Sequence, residues 1–169
     1  MSRTASDPSP ARPVARGPLL LVALLAVCYA VAGLGAVASA GAGDLYTLLD
    51  RPDWAPPARL FAPVWSVLYA TIAVSAWLVL RRPRPENRAA MVWWSLQLAF
   101  NLAWSPLFFA ARQYGLAFAD ICLLLVALAA TVVAFGRLNR PAALLLVPCL
   151  CWVAFAAALN LAIWIADTS

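Results

Sequence analysis

Three sets of side chains could do chemistry in this chain, and each is laid out at helical spacing. Trp94, Gln97, Asn101, Trp104 and Phe108 are separated by three, four, three and four positions, so they form one stripe along a helix. Phe61, Trp65 and Tyr69 repeat at four-residue steps, as do Trp152, Ala156 and Asn160. Each stripe pairs aromatic rings with hydrogen-bonding groups. Two carboxamides on one apolar helix are costly in a membrane unless they face other helices, water or a ligand. Gln97 and Asn101 therefore serve either as glue between helices or as a polar clamp in a pocket, and the aromatics that flank them favour the pocket. If the three stripes converge, they make a cavity with apolar walls and few polar groups, suited to a flat, largely apolar ligand.

Other chemistry is excluded by what the chain lacks. With no histidine in 169 residues, there can be no histidine-ligated haem, no histidine zinc site and no Ser/His or Cys/His nucleophile. No acid/base pair or metal set points to ordinary catalysis, so no catalytic residue, metal ligand or obligatory cofactor is assigned. Cys28, Cys122, Cys149 and Cys151 all lie in apolar stretches. Cys149 and Cys151, two apart, point to different faces of a helix and read as small apolar residues. Asp120 sits about one turn into its apolar stretch, where an acid is a functional candidate but a dipole-stabilised, cap-like role is favoured.

The elements that must position these residues are membrane helices. The chain is 65% hydrophobic and 11% charged, with a mean hydropathy of +0.86, whereas a soluble domain carries about half apolar and a quarter charged residues. Five charge-poor stretches, Pro18–Ser39, Phe61–Leu80, Ala89–Ala111, Leu116–Gly136 and Ala142–Ile165, are 20 to 24 residues each. At about 1.5 Å per residue, each matches a hydrocarbon core of roughly 30 Å. The expected fold is an all-α membrane protein, a five-transmembrane-helix bundle over 18–165. A β-barrel would need alternating segments of about ten residues, which these continuous runs are not.

Residues 1–17, rich in Pro, Ser and Arg, read as a disordered N-terminal arm, and 166–169 as a C-terminal tail. Connections are short except for residues 40–60, a loop long enough to be functional. The twelve basic residues are all arginine and give a net charge of +5. Nine arginines fall on one side of the spans (Arg3, Arg12, Arg16, Arg81, Arg82, Arg84, Arg88, Arg137, Arg140) and three on the other (Arg51, Arg59, Arg112). By the positive-inside rule the N-terminus is cytoplasmic, in what reads as a bacterial cell membrane, and the long loop lies outside. The basic balance suits an anionic leaflet rather than a nucleic acid. The first stretch, ending Ala38-Ser39-Ala40, imitates a cleavable signal, but its apolar run exceeds the usual 7–15 residues or so.

Trp77, Trp93 and Trp164, near span ends, fit the interfacial aromatic belt and need no function. Ser95, Ala99 and Ala103 repeat at four-residue steps about opposite the amide stripe. Such a small-residue face supports either a homodimer or close packing inside one bundle.

Several of these pieces, taken in order, carry a resemblance. Trp54-Ala55-Pro56-Pro57, Phe61-Ala62-Pro63-Val64-Trp65 with Tyr69, Gln97-Leu98-Ala99-Phe100-Asn101 leading to Trp104-Ser105-Pro106, and Pro148 with Trp152 and Leu159-Asn160 resemble the tryptophan-rich sensory protein (TspO)/translocator protein family, also called peripheral benzodiazepine receptors. The likeness covers roughly residues 18–165. It implies a five-helix bundle, often dimeric, whose pocket below the first loop binds porphyrins and other tetrapyrroles, and in some members sterols and benzodiazepine-type drugs. By motif position it implies pocket contacts at Tyr46, Trp54, Trp65, Gln97, Asn101 and Trp152, with the loop carrying Tyr46, Trp54 and Pro57 as a lid. Together with the stripes, the candidate ligand-binding set is Tyr46, Trp54, Pro57, Trp65, Tyr69, Gln97, Asn101, Trp104, Trp152 and Asn160, and the candidate dimer face is Ser95, Ala99 and Ala103.

The chain departs from the family in three places. The end of the fifth span, Leu159 to Asp167, lacks the tyrosine and the basic residue of the family's cholesterol consensus. Cys149 follows Pro148 where relatives carry an aromatic, and the segment before the first span is longer. The leading expectation is a membrane receptor or sensor for a tetrapyrrole such as porphyrin. Alternatives are light-dependent or oxidative breakdown of bound porphyrin, and transport. For transport, Pro63, Pro106 and Pro148 interrupt spans but do not fall at corresponding positions of two halves.

Overall fold

A computed structural model describes residues 16–49 and 51–168. The helices are α1 (Arg16–Ala38), α2 (Ala42–Leu48), α3 (Phe61–Leu80), α4 (Asn87–Ser105), α5 (Tyr114–Leu138) and α6 (Arg140–Asp167). The five long ones form the expected bundle, and no strand occurs among the described residues. α5 packs between α4 and α6, while α1 lies against α3 and α4, and α3 also meets α6. Ile72, Leu124, Leu128, Phe135 and Leu146 are fully buried where these faces meet. Val67, Val126, Val133 and Leu144 stay exposed on the outside. Such an apolar exterior is a liability in water and the normal surface in lipid.

Four segments, Gly17–Ala38, Ala58–Leu80, Tyr114–Leu138 and Arg140–Asp167, are apolar and long enough to cross a membrane on composition alone. α4 is not among them, because the stripe with Gln97 and Asn101 lowers its hydropathy. That stripe is its inner face: Trp94, Gln97, Asn101 and Phe108 are buried and Trp104 is half-buried. α4 also runs on through a π-helical turn, Pro106–Ala110. Pro106 has no N–H to donate, and the turn closes with Ala111 N donating to the Pro106 carbonyl at 2.8 Å. Single π turns of this kind often mark functional sites.

Several boundaries differ from those expected. Of the arm over 1–17, only Arg16 and Gly17 are described, and they begin α1, where the Gly17 carbonyl accepts from Trp77 Nε1 at 2.6 Å. Helix continues to Asp167, so residues 166 and 167 belong to α6 rather than to a tail. The segment 40–60 is not simply loop. It carries α2 and a single 3-10 turn, Ala58–Leu60, and α2 starts after Gly41, whose φ of +81° is one that glycine adopts freely.

The small-residue face of α4 is largely uncovered within the single chain. Ser95 and Ala99 are exposed and Ala103 is half-buried. Cys149 is buried and Cys151 exposed, as their spacing requires, and all four cysteines are free thiols. The N-cap of α5 is Gln113. Asp120 therefore lies beyond the first turn, and its Oδ2 is enclosed without a hydrogen-bond partner, which corrects the cap-like role expected for it.

A tryptophan-walled cavity beneath the first loop

A cavity of about 580 Å³ opens between α1, α3 and α4, beneath the segment that joins α1 to α3. Its aromatic lining is Phe61, Trp65 and Tyr69 from α3 with Trp104 from α4 and Phe109 from the π turn that follows it. The i, i+4, i+8 spacing puts the α3 residues on one face, and the 5.6 Å separation of the Trp65 and Tyr69 ring centroids keeps that face continuous. The α1 side is made mostly of small residues. Ala32, Gly33, Gly35 and Ala36 present little beyond backbone and leave room for the cavity, while Tyr29 of the same helix also lines it and donates its hydroxyl to the Ser66 carbonyl at 3.0 Å.

Asn101 supplies an interior polar group. It is buried, its Oδ1 accepts from the Tyr69 hydroxyl at 2.9 Å, and its Nδ2 has no partner. A buried donor left unpaired costs about 1–3 kcal/mol; Nδ2 is itself closed off, so a ligand acceptor would gain that advantage only when the carboxamide turns toward the cavity. Tyr46 closes the cavity from above. Its hydroxyl donates to the Pro56 carbonyl at 3.0 Å, and the Arg51 guanidinium lies 4.8 Å from its ring centroid. Burial pushes the Tyr46 phenol upward and Arg51 partly offsets this, so the phenol stays a neutral donor at neutral pH.

Behind the aromatic wall, a space of about 10 Å³ is bounded by Phe61, Trp65, Asn101, Trp104 and Trp152, among others. Trp65, Asn101 and Trp152, from three different helices, thus converge on one enclosed region. Trp152 borders this inner space and not the main cavity, and its Nε1 has no partner. A run of edge-to-face and tilted rings continues outward from it: Tyr46 to Phe61 at 5.3 Å, Phe61 to Trp152 at 5.8 Å, Trp152 to Phe155 at 5.8 Å and Phe155 to Trp54 at 5.6 Å. This ladder pins the loop to α3 and α6.

The other candidates sit elsewhere. Trp54, 51% exposed, and Pro57 lie on the outside of the loop and do not line the cavity. Asn160 is a strut between helices: its Oδ1 accepts from Trp104 Nε1 at 3.0 Å and its Nδ2 donates to the Tyr114 carbonyl at 2.9 Å. Gln97 is wholly buried one turn from Asn101, with both amide atoms unpartnered, and lines neither space. The small-residue α1 wall was not anticipated, although the small residues between Ala32 and Gly43 were a visible signal that something must fill the space beside them.

The motif order agrees with comparison to known proteins. The TspO/MBR family pattern matches residues 22–165. The chain belongs to the TspO/MBR family. Among its relatives, the translocator protein of Ovis aries is 43% identical over 122 residues, covering 70% of this chain and 72% of that protein. The tryptophan-rich protein TspO of Chlorobaculum tepidum is 38% identical over 148 residues, 86% of this chain and 94% of its own length. The tryptophan-rich sensory protein of Cereibacter sphaeroides is 33% identical over 141 residues, 83% and 87%. This TspO/MBR member is an integral membrane protein, and the conclusion rests equally on its apolar helices.

Proposed function

We propose that this TspO/MBR protein is a membrane receptor or sensor that holds a tetrapyrrole, porphyrin being the prime candidate, in the cavity beneath its first loop. The observation that carries this reading is the pairing of an aromatic wall with one made mostly of small residues around about 580 Å³. That volume is within the range of roughly 300–1,000 Å³ typical of small-molecule sites. A flat macrocycle would stack on Trp65 while Asn101 Nδ2 donates to its polar edge.

Titration with metal-free porphyrin tests it. Tryptophan fluorescence should be quenched saturably, and Trp65→Ala should weaken the affinity about tenfold, since stacking of a flat aromatic on a side chain is worth about 1–3 kcal/mol. Trp152→Ala, whose ring borders only the inner space, should change it by about threefold or less. Quenching that never saturates, or equal loss in the two variants, would sink the stacking arrangement.

We also propose that a second copy of the chain packs on the Ser95, Ala99 and Ala103 face. In its support, Ser95 and Ala99 are exposed in the single chain, and small residues let helices in lipid approach closely. Ser95→Cys in membranes should form an intermolecular disulfide on mild oxidation, while Leu123→Cys, on the exposed side of α5, should not. Equal cross-linking at both positions would mean random collision.

A further inference from the structure

At the other end of the bundle, two connections distant in sequence meet around a basic groove. Leu78, Arg81 and Arg82 at the end of α3 and Leu138, Asn139, Arg140 and Pro141 between α5 and α6 bound a space of about 390 Å³. Its polar rim is three guanidinium groups and its floor includes two leucines. Arg81, Arg82 and Arg140 are exposed, and none forms an ion pair with a described carboxylate. Glu86, the acidic residue described in the adjoining connection, does not border the groove.

The walls are held in place. Asn139 Nδ2 donates to the Leu78 carbonyl at 3.2 Å, and its Oδ1 accepts from Ala142 N at 3.3 Å, so one side chain ties the end of α3 to the start of α6. The Arg81 guanidinium is fixed over the Trp77 ring at 4.8 Å. The groove adjoins the N-terminal end of the 28-residue α6 but also the C-terminal ends of α3 and α5, whose dipoles oppose it, so its positive charge comes from the arginines.

An unpaired positive rim beside an apolar floor at the end of membrane helices matches one ligand chemistry: an oxyanion attached to a hydrocarbon. We propose that the groove binds the phosphodiester headgroup of an anionic phospholipid, its phosphate forked by Arg82 and Arg140 and its glycerol end against Leu78 and Leu138. Arginine presents paired donors that match phosphate oxygens. Basic pockets between membrane helices are known to take such headgroups.

The test uses the full chain in nanodiscs of phosphatidylcholine mixed with phosphatidylglycerol, with retained lipid counted by native mass spectrometry. Phosphatidylglycerol should be retained in preference to phosphatidylcholine. An arginine near an anionic headgroup changes affinity about fivefold, so Arg82→Gln with Arg140→Gln should lower phosphatidylglycerol affinity about twentyfold to thirtyfold. Arg59→Gln with Arg112→Gln, the same charge change at the opposite end, should leave it within about twofold. Arg82→Lys with Arg140→Lys, which keeps the charge, should hold an intermediate affinity, and unchanged phosphatidylcholine adducts report that each variant remains folded. The proposal is overturned if the two lipids are retained equally or if both glutamine pairs lose affinity alike, which would mean diffuse attraction. It is also overturned if inorganic phosphate at the lipid's concentration displaces the adduct, which would make the ligand a soluble anion.

Discussion

Replacing Ala36 by tryptophan should abolish porphyrin binding, with affinity falling at least about a hundredfold, equivalent to roughly 2.7 kcal/mol. Ala36 lies on the small-residue wall of α1 and faces the cavity, so a large ring placed there occupies the volume the macrocycle needs. The protein itself should tolerate the change. Overpacking costs about 1–3 kcal/mol when a side chain is forced into a filled core, but here the new ring enters open space, and the melting temperature should hold or rise slightly. Porphyrin absorbance measures the binding without interference from the added indole. Ala158→Trp, on an exposed position of α6, serves as the matched control and should bind as the parent does. Retained affinity in Ala36→Trp would place the ligand outside this cavity.

Period and hydropathy were enough to read the bundle from the sequence, because lipid imposes one simple rule: each span must satisfy its own backbone and expose apolar side chains. The same logic aimed the amide stripe inward, and Trp94 through Phe108 do face the interior. Spacing could not resolve depth along the stripe. Gln97 and Asn101 are one turn apart on the same face and read as equivalent, yet only Asn101 lines the cavity, because the cavity floor lies between their levels. Asn160 looked like a third pocket amide. Whether it faces a ligand or a neighbouring helix depends on how α4 and α5 approach α6, and the carbonyl of Tyr114 and the indole of Trp104 take up both ends of its carboxamide. Trp54 was placed at the pocket by motif position alone. In the structure its indole packs edge-on against Phe155 from outside, so it secures the loop and does not line the cavity. The small residues of α1 give no such signal of chemistry, because alanines and glycines carry none of their own and act by leaving room for another molecule.

Gln97→Leu should stabilise the protein by about 2–4 kcal/mol in the absence of ligand. Gln97 is fully buried and neither Oε1 nor Nε2 has a hydrogen-bond partner, and each such unpaired group carries a penalty of about 1–3 kcal/mol. Leucine is close in size and has no polar atom to satisfy, so the substitution removes the penalty and retains most of the packing. Thermal unfolding in detergent, followed by far-ultraviolet circular dichroism, reads the effect directly. Asn101→Leu supplies the contrast. It also removes one unpaired donor, Nδ2, but it strands the Tyr69 hydroxyl that Oδ1 accepts, so its net effect on stability should be near zero and its main effect should fall on porphyrin affinity. If Gln97→Leu instead lowers stability, the carboxamide is satisfied in the membrane by internal water, and Gln97 belongs to a hydrated network that reaches toward Asn101 from below.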